Sequence, residues 1–397
     1  MNRRFSWHAA LLVILMTGVF VLLLYHLSWL RFPLDRDEKH FWPTALAFSH
    51  SLLPDLASIR SYDELSTPLP FLVFGQIERI TGHGLVLSRY LNVMLSAGIV
   101  LLIAFADGGP DRTSLASVLG LVLFPYFLGV STRVYTDPIA SFLVVFGLWF
   151  QLREKYFMAG VAWALGIAAR QYVVAFPLAA VGYELAKRAN NRSFWRTSWI
   201  CPLAAAATIL LWFAAFGGYA PAAAVKEQEL APTILHYFFF DHALYFLSCI
   251  GAYYCLLETI LAPMLSWRDI VKRWRWNAAL AAALANAFVA FPPLANPDLS
   301  TMGYLDIALR WIFGDALRLL VLYLFALWAL IRFIEFPLTL AGWMLIANLL
   351  VMTKAHLAWD KYALPLICAL WLMRAMEPRP AASAESAPEV EPICKSG

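Results

Sequence analysis

Long apolar runs, separated by short polar stretches, make up most of this 397-residue sequence. Hydrophobic residues account for 61% of the chain and charged residues for 14%, whereas roughly a quarter of the residues in a soluble domain carry charge. A helix needs about 20 apolar residues to cross a bilayer, and by that criterion the runs predict about twelve crossings, some of them short. The sequence therefore predicts an all-α membrane protein, a polytopic bundle of about twelve transmembrane helices.

The distribution of charge predicts how these helices are oriented. Lys and Arg are dense at 187–196 and 267–276, and both termini are predicted to lie on the same side as these stretches. The positive-inside rule makes that side cytoplasmic. Residues 1–376 are expected to form one transmembrane domain, followed at 377–397 by a disordered cytoplasmic tail rich in Pro, Ala, Ser and Glu. No basic face for nucleic acid is visible.

The longest polar stretch is the predicted first outer loop, residues 31–84. It holds one acidic cluster at 35–38 and a second at 63–64. The stretch 67–82 in the same loop is short for a membrane span and carries charged side chains that are costly at the bilayer centre. We expect it to form an amphipathic helix lying at the membrane interface.

Further polar clusters fall on the same, outer side. They are residues 133–137, 170–171, 226–242, a loop rich in Pro and Asn at 292–315, and residues 354–362. Ionisable residues are scarce in the middle of the predicted spans, where a transporter would place its substrate ligands. The sequence therefore favours a site at the outer membrane surface. A multi-span transporter or flippase of lipid-linked sugars is the alternative, and a non-catalytic assembly subunit is a third possibility.

A carboxylate just after the first predicted span could serve as a general base. Asp37 or Glu38 could take the proton of an acceptor hydroxyl while a sugar leaves its lipid phosphate. The leaving phosphate needs cations, and the outward candidates are Arg60, Arg133, Arg170, Lys354 and Lys361. The acidic residues could equally be ordinary solvated loop charges. Asp35-Arg36-Asp37 matches the DxD pattern of metal-dependent nucleotide-sugar enzymes, but a match of three residues is weak.

Five markers stand out in the N-terminal half. They are Asp37-Glu38 after the first span, Thr67-Pro68-Leu69-Pro70 after the second acidic cluster, GHGLVLSRYLNV at 82–93, Thr136-Asp137-Pro138 opening a span, and the basic break at Arg170. Together they resemble the C-type glycosyltransferase superfamily, multi-span enzymes that use polyprenyl-phosphate sugars. The resemblance implies a C-type helical bundle whose first outer loop contains interfacial helices.

Four segments carry a closer likeness. They are Asp37-Glu38-Lys39-His40-Phe41, Tyr62-Asp63 leading to Ser66-Thr67-Pro68-Leu69-Pro70, Arg170-Gln171-Tyr172, and the run from His356 to Tyr362. These are similar to motifs of the dolichyl-phosphate-glucose-dependent α-1,2-glucosyltransferase family of N-glycan precursor assembly. The chain departs from that family at Tyr62, which replaces Trp, at Leu69, which replaces Pro, and at Tyr172-Val173, which replaces Thr-Asn. The reaction class therefore carries over more safely than the identity of the sugar or acceptor.

The resemblance implies inverting transfer of a hexose, glucose or mannose-like, from a polyprenyl-phosphate or dolichyl-phosphate donor to a hydroxyl of a glycan or lipid-linked oligosaccharide. Asp37 is the implied general base, with Glu38 as the other catalytic candidate. The implied substrate-binding residues are His40, Asp63, Thr67, Arg170, Gln171, His356, Asp360, Lys361 and Tyr362. No cofactor or metal is expected. The expected location is a bacterial inner membrane or an endoplasmic reticulum membrane, with the site on the non-cytoplasmic side.

Overall fold

The structure, a computed structural model, describes residues 7–52, 54–107, 109, 111–188, 197–227, 237–263, 267–293, 303–355 and 357–377. Within these ranges the regular secondary structure is helical and includes no β-strand, which confirms the all-α prediction. The predicted disordered tail, 377–397, lies outside the described residues except for Glu377, which accepts a hydrogen bond from Arg374.

The helices follow the apolar runs of the sequence. Those of the first half are α1 (Trp7–His26), α2 (Glu38–Ala47), α3 (Leu56–Ser61), α4 (Leu69–Thr81), α5 (Gly84–Ala104), α6 (Arg112–Val122), α7 (Pro125–Ser131), α8 (Asp137–Leu152), α9 (Tyr156–Ala169) and α10 (Ala175–Arg188). Those of the second half are α11 (Thr197–Phe216), α12 (Ala222–Glu227), α13 (Phe240–Ile250), α14 (Leu256–Leu261), α15 (Trp267–Lys272), α16 (Trp274–Ala290), α17 (Tyr304–Phe333), α18 (Leu340–Met352) and α19 (Leu364–Met376).

Several of these helices could span a membrane. In the described part of the chain, four are long and apolar enough: Gly84–Ala104, Ser198–Phe216, Phe240–Leu261 and Tyr304–Phe333. The third joins α13 to α14 through the π-helical turn Gly251–Cys255. A fifth span results if α6 and α7, which are bent by 73°, are counted as one. The helices α8, α9 and α18 are apolar but shorter.

The last helix, α19, lies at the centre of the bundle. Its residues from Leu364 to Leu372 are almost completely buried, the pattern of a helix surrounded by other helices. It contacts α5, α6, α8 and α18. Trp371 packs so close to Gly120 of α6 that a Cβ at that position would overlap the indole ring, so glycine allows these helices to approach. The turn before α19, Asp360–Ala363, is thereby fixed relative to α6 and α8.

The first outer loop folds into the helices α2, α3 and α4. α4 has 13 residues, ends at Thr81 and is capped by Gly82, whose φ of +63° suits glycine. Its polar side chains bind the preceding loop, since Gln76 donates to the carbonyl of Ser51 and Arg79 to that of His50, both at 2.8 Å. The helix is short and amphipathic, as predicted for 67–82. Its position at a membrane interface stays a prediction.

The prediction of a loop at 292–315 is wrong for the second half of that range, because α17 begins at Tyr304. The Pro and Asn residues of this stretch suggested a loop in the sequence, but charged residues of its second half belong to a helix and pair with one another. Asp306 binds Arg310 one turn further along at 3.0 Å and also binds Arg318. Gly314, with a φ of +67°, lies between these partners and interrupts the helix. The pairing lets charged side chains stay within a long, otherwise apolar helix.

Candidate functional site

Glu38 holds the start of α2 against α5 through a buried ion pair. Its two oxygens accept hydrogen bonds from the Arg89 guanidinium at 2.8 and 2.7 Å, and neither side chain is exposed. Oε1 also accepts from the backbone N–H of Val134 at 2.7 Å. Arg89 in turn donates to the carbonyl oxygens of Leu30 and Phe32, at 2.8 and 2.7 Å. Because both oxygens of Glu38 are occupied, this geometry favours a positioning role for Glu38 over a catalytic one.

Asp37, one residue earlier, faces a cavity. Its Oδ2 accepts from the ammonium of Lys361 at 2.5 Å, and a quarter of its side chain is exposed. The Lys361 side chain is nearly buried, and its ammonium lies 3.9 Å from the centre of the Trp359 ring. The turn before α19 thus supplies the cation that balances the charge of Asp37, the candidate base.

Asp35, the other carboxylate of the DxD match, binds a different cation. Its Oδ2 accepts from Nη2 and Nε of Arg133 at 3.0 and 3.3 Å. Asp35 and Asp37 are therefore each balanced by a cation of the protein. Among the described residues there is no group of three or more His, Cys, Asp or Glu side chains that could hold a metal ion.

Arg170 interrupts the apolar stretch between α9 and α10 and is held by Asp137. Its Nη2 donates to Oδ2 of Asp137 at 3.0 Å, and the other oxygen of this fully buried carboxylate accepts from the Tyr172 hydroxyl at 3.2 Å. The Nε of Arg170 is buried without a hydrogen-bond partner. An unsatisfied guanidinium N–H beside a cavity favours an anionic ligand, which would complete its hydrogen bonding.

Asp37 of the first acidic cluster and both residues of the second meet around a polar cavity of about 680 Å³. Its lining includes Asp37, His40, Asp63, Glu64, Arg170, Lys361 and Tyr362. Carboxylates and cations therefore face one space. Such a space suits a ligand that carries both hydroxyl groups and a negative charge.

Glu64 is the residue of this cavity that the sequence analysis missed, since Asp63 was preferred there. Only 8% of Glu64 is exposed, whereas Asp63 is an exposed residue. Burial raises the pKa of the Glu64 carboxyl to about 7, opposed by the charge of Arg170 and reinforced by that of Asp37. A carboxyl that changes protonation near neutral pH can exchange protons with a bound ligand.

An apolar groove of about 870 Å³ adjoins the polar cavity. It lies between α10, α11 and α18 and is lined mostly by aliphatic and aromatic side chains, among them Leu178, Ile209, Phe213, Ile346, Ala347 and Leu350. Leu65, Ser66, Arg170 and Tyr362 line both spaces. The groove and the cavity therefore meet at these four residues, of which Arg170 is the only charged one.

The groove contains unsatisfied hydrogen-bonding groups despite its apolar lining. The hydroxyls of Ser66 and Tyr219, the Nε of Arg170 and the indole N–H of Trp343 are buried without partners, and all four residues line the groove. Leaving such a group unsatisfied costs about 1–3 kcal/mol. All four can donate, and a shift of their side chains toward the groove would let them bind the acceptor oxygens of a ligand.

Two predicted substrate-binding residues tie the first loop to α9 and α10. Thr67 is completely buried, and its hydroxyl donates to the carbonyl oxygen of Ile167 at 2.7 Å. Gln171 lines the apolar groove, and its Nε2 donates to the carbonyl oxygen of Leu65 at 2.6 Å. Thr67 thus supports the site from behind, whereas Gln171 borders it. Another predicted residue, His356, lies outside the described residues.

Asp360 anchors the start of α17. It is 1% exposed, and its Oδ2 accepts from the Tyr253 hydroxyl at 2.9 Å and from the backbone N–H of Leu305 at 3.1 Å. Burial raises the pKa of Asp360 to about 6, although these hydrogen bonds act in the opposite direction. Asp360 is not among the lining residues of the groove or the cavity, and its hydrogen bonds fix the turn that carries Lys361.

No family model, curated protein or solved structure matches this chain. The resemblance to C-type glycosyltransferases stays a prediction from the motifs. Function must therefore be argued from the geometry of the groove and the cavity.

Proposed function

We propose that this protein is an integral-membrane glycosyltransferase of the C type. It transfers a hexose from a polyprenyl-phosphate sugar to a hydroxyl of a glycan or lipid-linked oligosaccharide. The observation that carries the proposal is the meeting of an apolar groove with a carboxylate-lined polar cavity at Arg170. The parts of a polyprenyl-phosphate sugar follow the same order. Its hydrocarbon chain corresponds to the groove, its phosphate to Arg170 and its sugar to the polar cavity.

The donor lipid fits the groove for physical reasons. Burying hydrocarbon is favourable by about 25 cal/mol per Å², and the lining between α10, α11 and α18 is chiefly apolar. The unpaired Nε of Arg170 would bind a phosphate oxygen at the point where the groove ends. The sugar would then extend into the polar cavity, toward Asp37 and Glu64.

The proposed reaction is an inverting displacement at the anomeric carbon. The acceptor oxygen bonds to that carbon while the bond from the carbon to the phosphate oxygen breaks. Asp37 takes the acceptor proton, and the polyprenyl phosphate leaves with its charge stabilised by Arg170. Glu38 and Arg89 hold the backbone beside Asp37 in place.

The proposed membrane arrangement has about twelve crossings. The long apolar helices account for four or five of them, and the remaining helices, among them α1, α8, α9, α10, α16, α18 and α19, would supply the rest. The basic stretches would face the cytoplasm by the positive-inside rule. The site would then open on the non-cytoplasmic side of a bacterial inner membrane or an endoplasmic reticulum membrane.

The test starts from cells that lack the protein. Mass spectrometry of their polyprenyl-linked glycans should reveal a species lacking one hexose, which then serves as the acceptor in vitro. Purified protein should transfer labelled hexose to it from polyprenyl-phosphate glucose or polyprenyl-phosphate mannose. The Asp37→Asn variant should lose at least a hundredfold in rate, since general-base catalysis contributes about 10²–10⁴-fold.

Asp55→Asn is the matched control, because Asp55 caps the short helix α3 through Ser58 and carries the same charge change. It should retain transfer. Full activity in both Asp37→Asn and Glu38→Gln would overturn the site assignment. If neither donor is used but reconstituted vesicles translocate the lipid-linked sugar, the flippase alternative is correct.

A further inference from the structure

A second cavity, of about 870 Å³, lies between the start of α16 and the turn that follows α17. Its walls include Lys272, Arg273, Trp274, Arg275, Trp276 and Phe336, a group we name the basic-aromatic patch. The predicted reaction does not use this patch. α18 starts just after the turn at Phe336, runs 13 residues, about 20 Å, along the apolar groove, and ends before the loop whose Leu357 and Trp359 line the polar cavity. The length of α18 therefore separates the patch from the polar cavity.

The patch has cationic groups available for a ligand. Arg273 forms an ion pair with Glu335, which joins α16 to the turn after α17 and cancels one positive charge. Lys272 and Arg275 are exposed, and neither forms a salt bridge with any carboxylate whose side chain the structure describes. Two positive charges therefore remain on one side of the cavity.

The same patch exposes large aromatic surfaces. Trp274 is 62% exposed, Trp276 41% and Phe336 70%. The Trp276 and Phe336 rings pack edge to face at 5.4 Å, and the Trp276 indole N–H donates to the carbonyl of Ile334 at 3.3 Å. Tryptophan side chains held in this way are typical of the headgroup region of a membrane, where one edge meets polar groups and the ring meets hydrocarbon.

From these observations we infer that the basic-aromatic patch binds the headgroup of an anionic phospholipid. Lys272 and Arg275 bind the phosphate, while Trp274, Trp276 and Phe336 contact the glycerol and the first acyl carbons. The combination decides the class of ligand, because a free anion gains nothing from the exposed rings, and a zwitterionic lipid brings its own cation beside its phosphate, which Lys272 and Arg275 repel. Basic pockets beside membrane helices bind anionic headgroups in this manner.

Native mass spectrometry of the full-length protein in detergent tests the inference. Equal amounts of phosphatidylglycerol and phosphatidylcholine, matched in acyl chains, are added as probes. The wild-type protein should retain at least tenfold more phosphatidylglycerol. The double variant Lys272→Gln/Arg275→Gln should lose at least tenfold of that binding, as removal of two interfacial cations predicts.

Arg112→Gln/Lys155→Gln is the matched control, because both residues are exposed and the charge change is equal. It should bind phosphatidylglycerol like the wild type, and soluble glycerol phosphate should not displace the lipid. Equal retention of the two lipids by the wild type would overturn the inference, even if a variant failed to fold. An equal loss in the control would also overturn it, as would displacement by glycerol phosphate. None of these outcomes depends on glycosyl transfer.

Discussion

The ammonium of Lys361 lies 2.5 Å from the carboxylate of Asp37, although 324 positions separate the two residues in the chain. We expect Lys361→Met to lower the rate of transfer by ten to a hundredfold. A hydrogen bond to a charged group contributes about 1.5–3 kcal/mol, and the proposed base would lose the partner that orients it. Steady-state transfer of labelled hexose measures the effect as kcat/KM.

The two residues should also act as a unit. In an Asp37→Asn background, Lys361→Met should cost much less than it does alone, because the interaction it removes is already weakened. Fully additive effects in this double-mutant cycle would mean that Lys361 acts independently of Asp37.

We expect the Glu38→Gln substitution to lower the stability of the folded protein. Glu38→Gln leaves the buried Arg89 guanidinium without its anion, and breaking a buried pair in this way costs about 3–5 kcal/mol. Thermal unfolding in detergent should therefore shift strongly downward. Asp35→Asn removes a carboxylate whose side chain is 46% exposed, and its loss should cost less than about 1 kcal/mol. An unchanged unfolding temperature for Glu38→Gln would contradict the positioning role.

Glu64 makes stability depend on pH. Its pKa is raised from 4.5 to about 7 in the folded state, so the folded protein binds this proton more tightly than the unfolded chain does. The free energy of unfolding therefore falls as pH rises from about 4.5 to about 7 and stays lower above that range. Glu64→Gln, which resembles the protonated form, should stabilise the protein by roughly 3 kcal/mol at about pH 8 and have little effect near pH 4.5.

Unfolding temperatures of the wild type and the variant, compared across this range, measure the difference. The charged groups that act on Glu64 are Asp37, Asp63, Arg170 and Lys361, and all are unchanged in the variant. Asp63→Asn is the control, because that exposed neighbour should not produce the same pH-dependent gain. A gain from Glu64→Gln that is equal at both ends of the range would mean that proton binding is not its cause.

The sequence predicts the helices well, because each helix corresponds mainly to an apolar run within its own segment of the chain. Apolar runs gave the position of most helices, and the polar break at Arg170-Gln171 marked a real interruption between α9 and α10. The start of α17 was missed, because the loop rich in Pro and Asn was extended to residue 315. The pairing of Asp306 with Arg318, which supports the first turns of α17, forms only once the helix has folded and is not visible in the sequence.

The candidate site was only partly predictable, because its geometry depends on distant segments. Asp63 and Glu64 are neighbours in the sequence, yet Glu64 is buried and Asp63 is exposed. The partner of Glu38 lies 51 positions away, in α5. The apolar groove is formed by three helices, and no single run of residues shows it. Motifs can therefore indicate the loop and its chemistry, but only the packed helices bring a carboxylate, a cation and an apolar groove together.

If the groove binds the donor lipid, a bulky side chain placed in it should raise the KM for long-chain donors more than the KM for short-chain donors. Ala347 of α18 is partly exposed within the groove, so Ala347→Trp should fill space intended for hydrocarbon without disturbing the buried core. We expect the KM for a long-chain polyprenyl-phosphate sugar to rise at least tenfold, since each buried CH₂ contributes about 0.8 kcal/mol. A water-soluble donor with a short chain does not need the blocked part and should be affected far less. Leu211→Trp, on an exposed position of α11, is the control for adding a tryptophan to the surface of the bundle. Equal losses for long and short donors would place the lipid outside this groove.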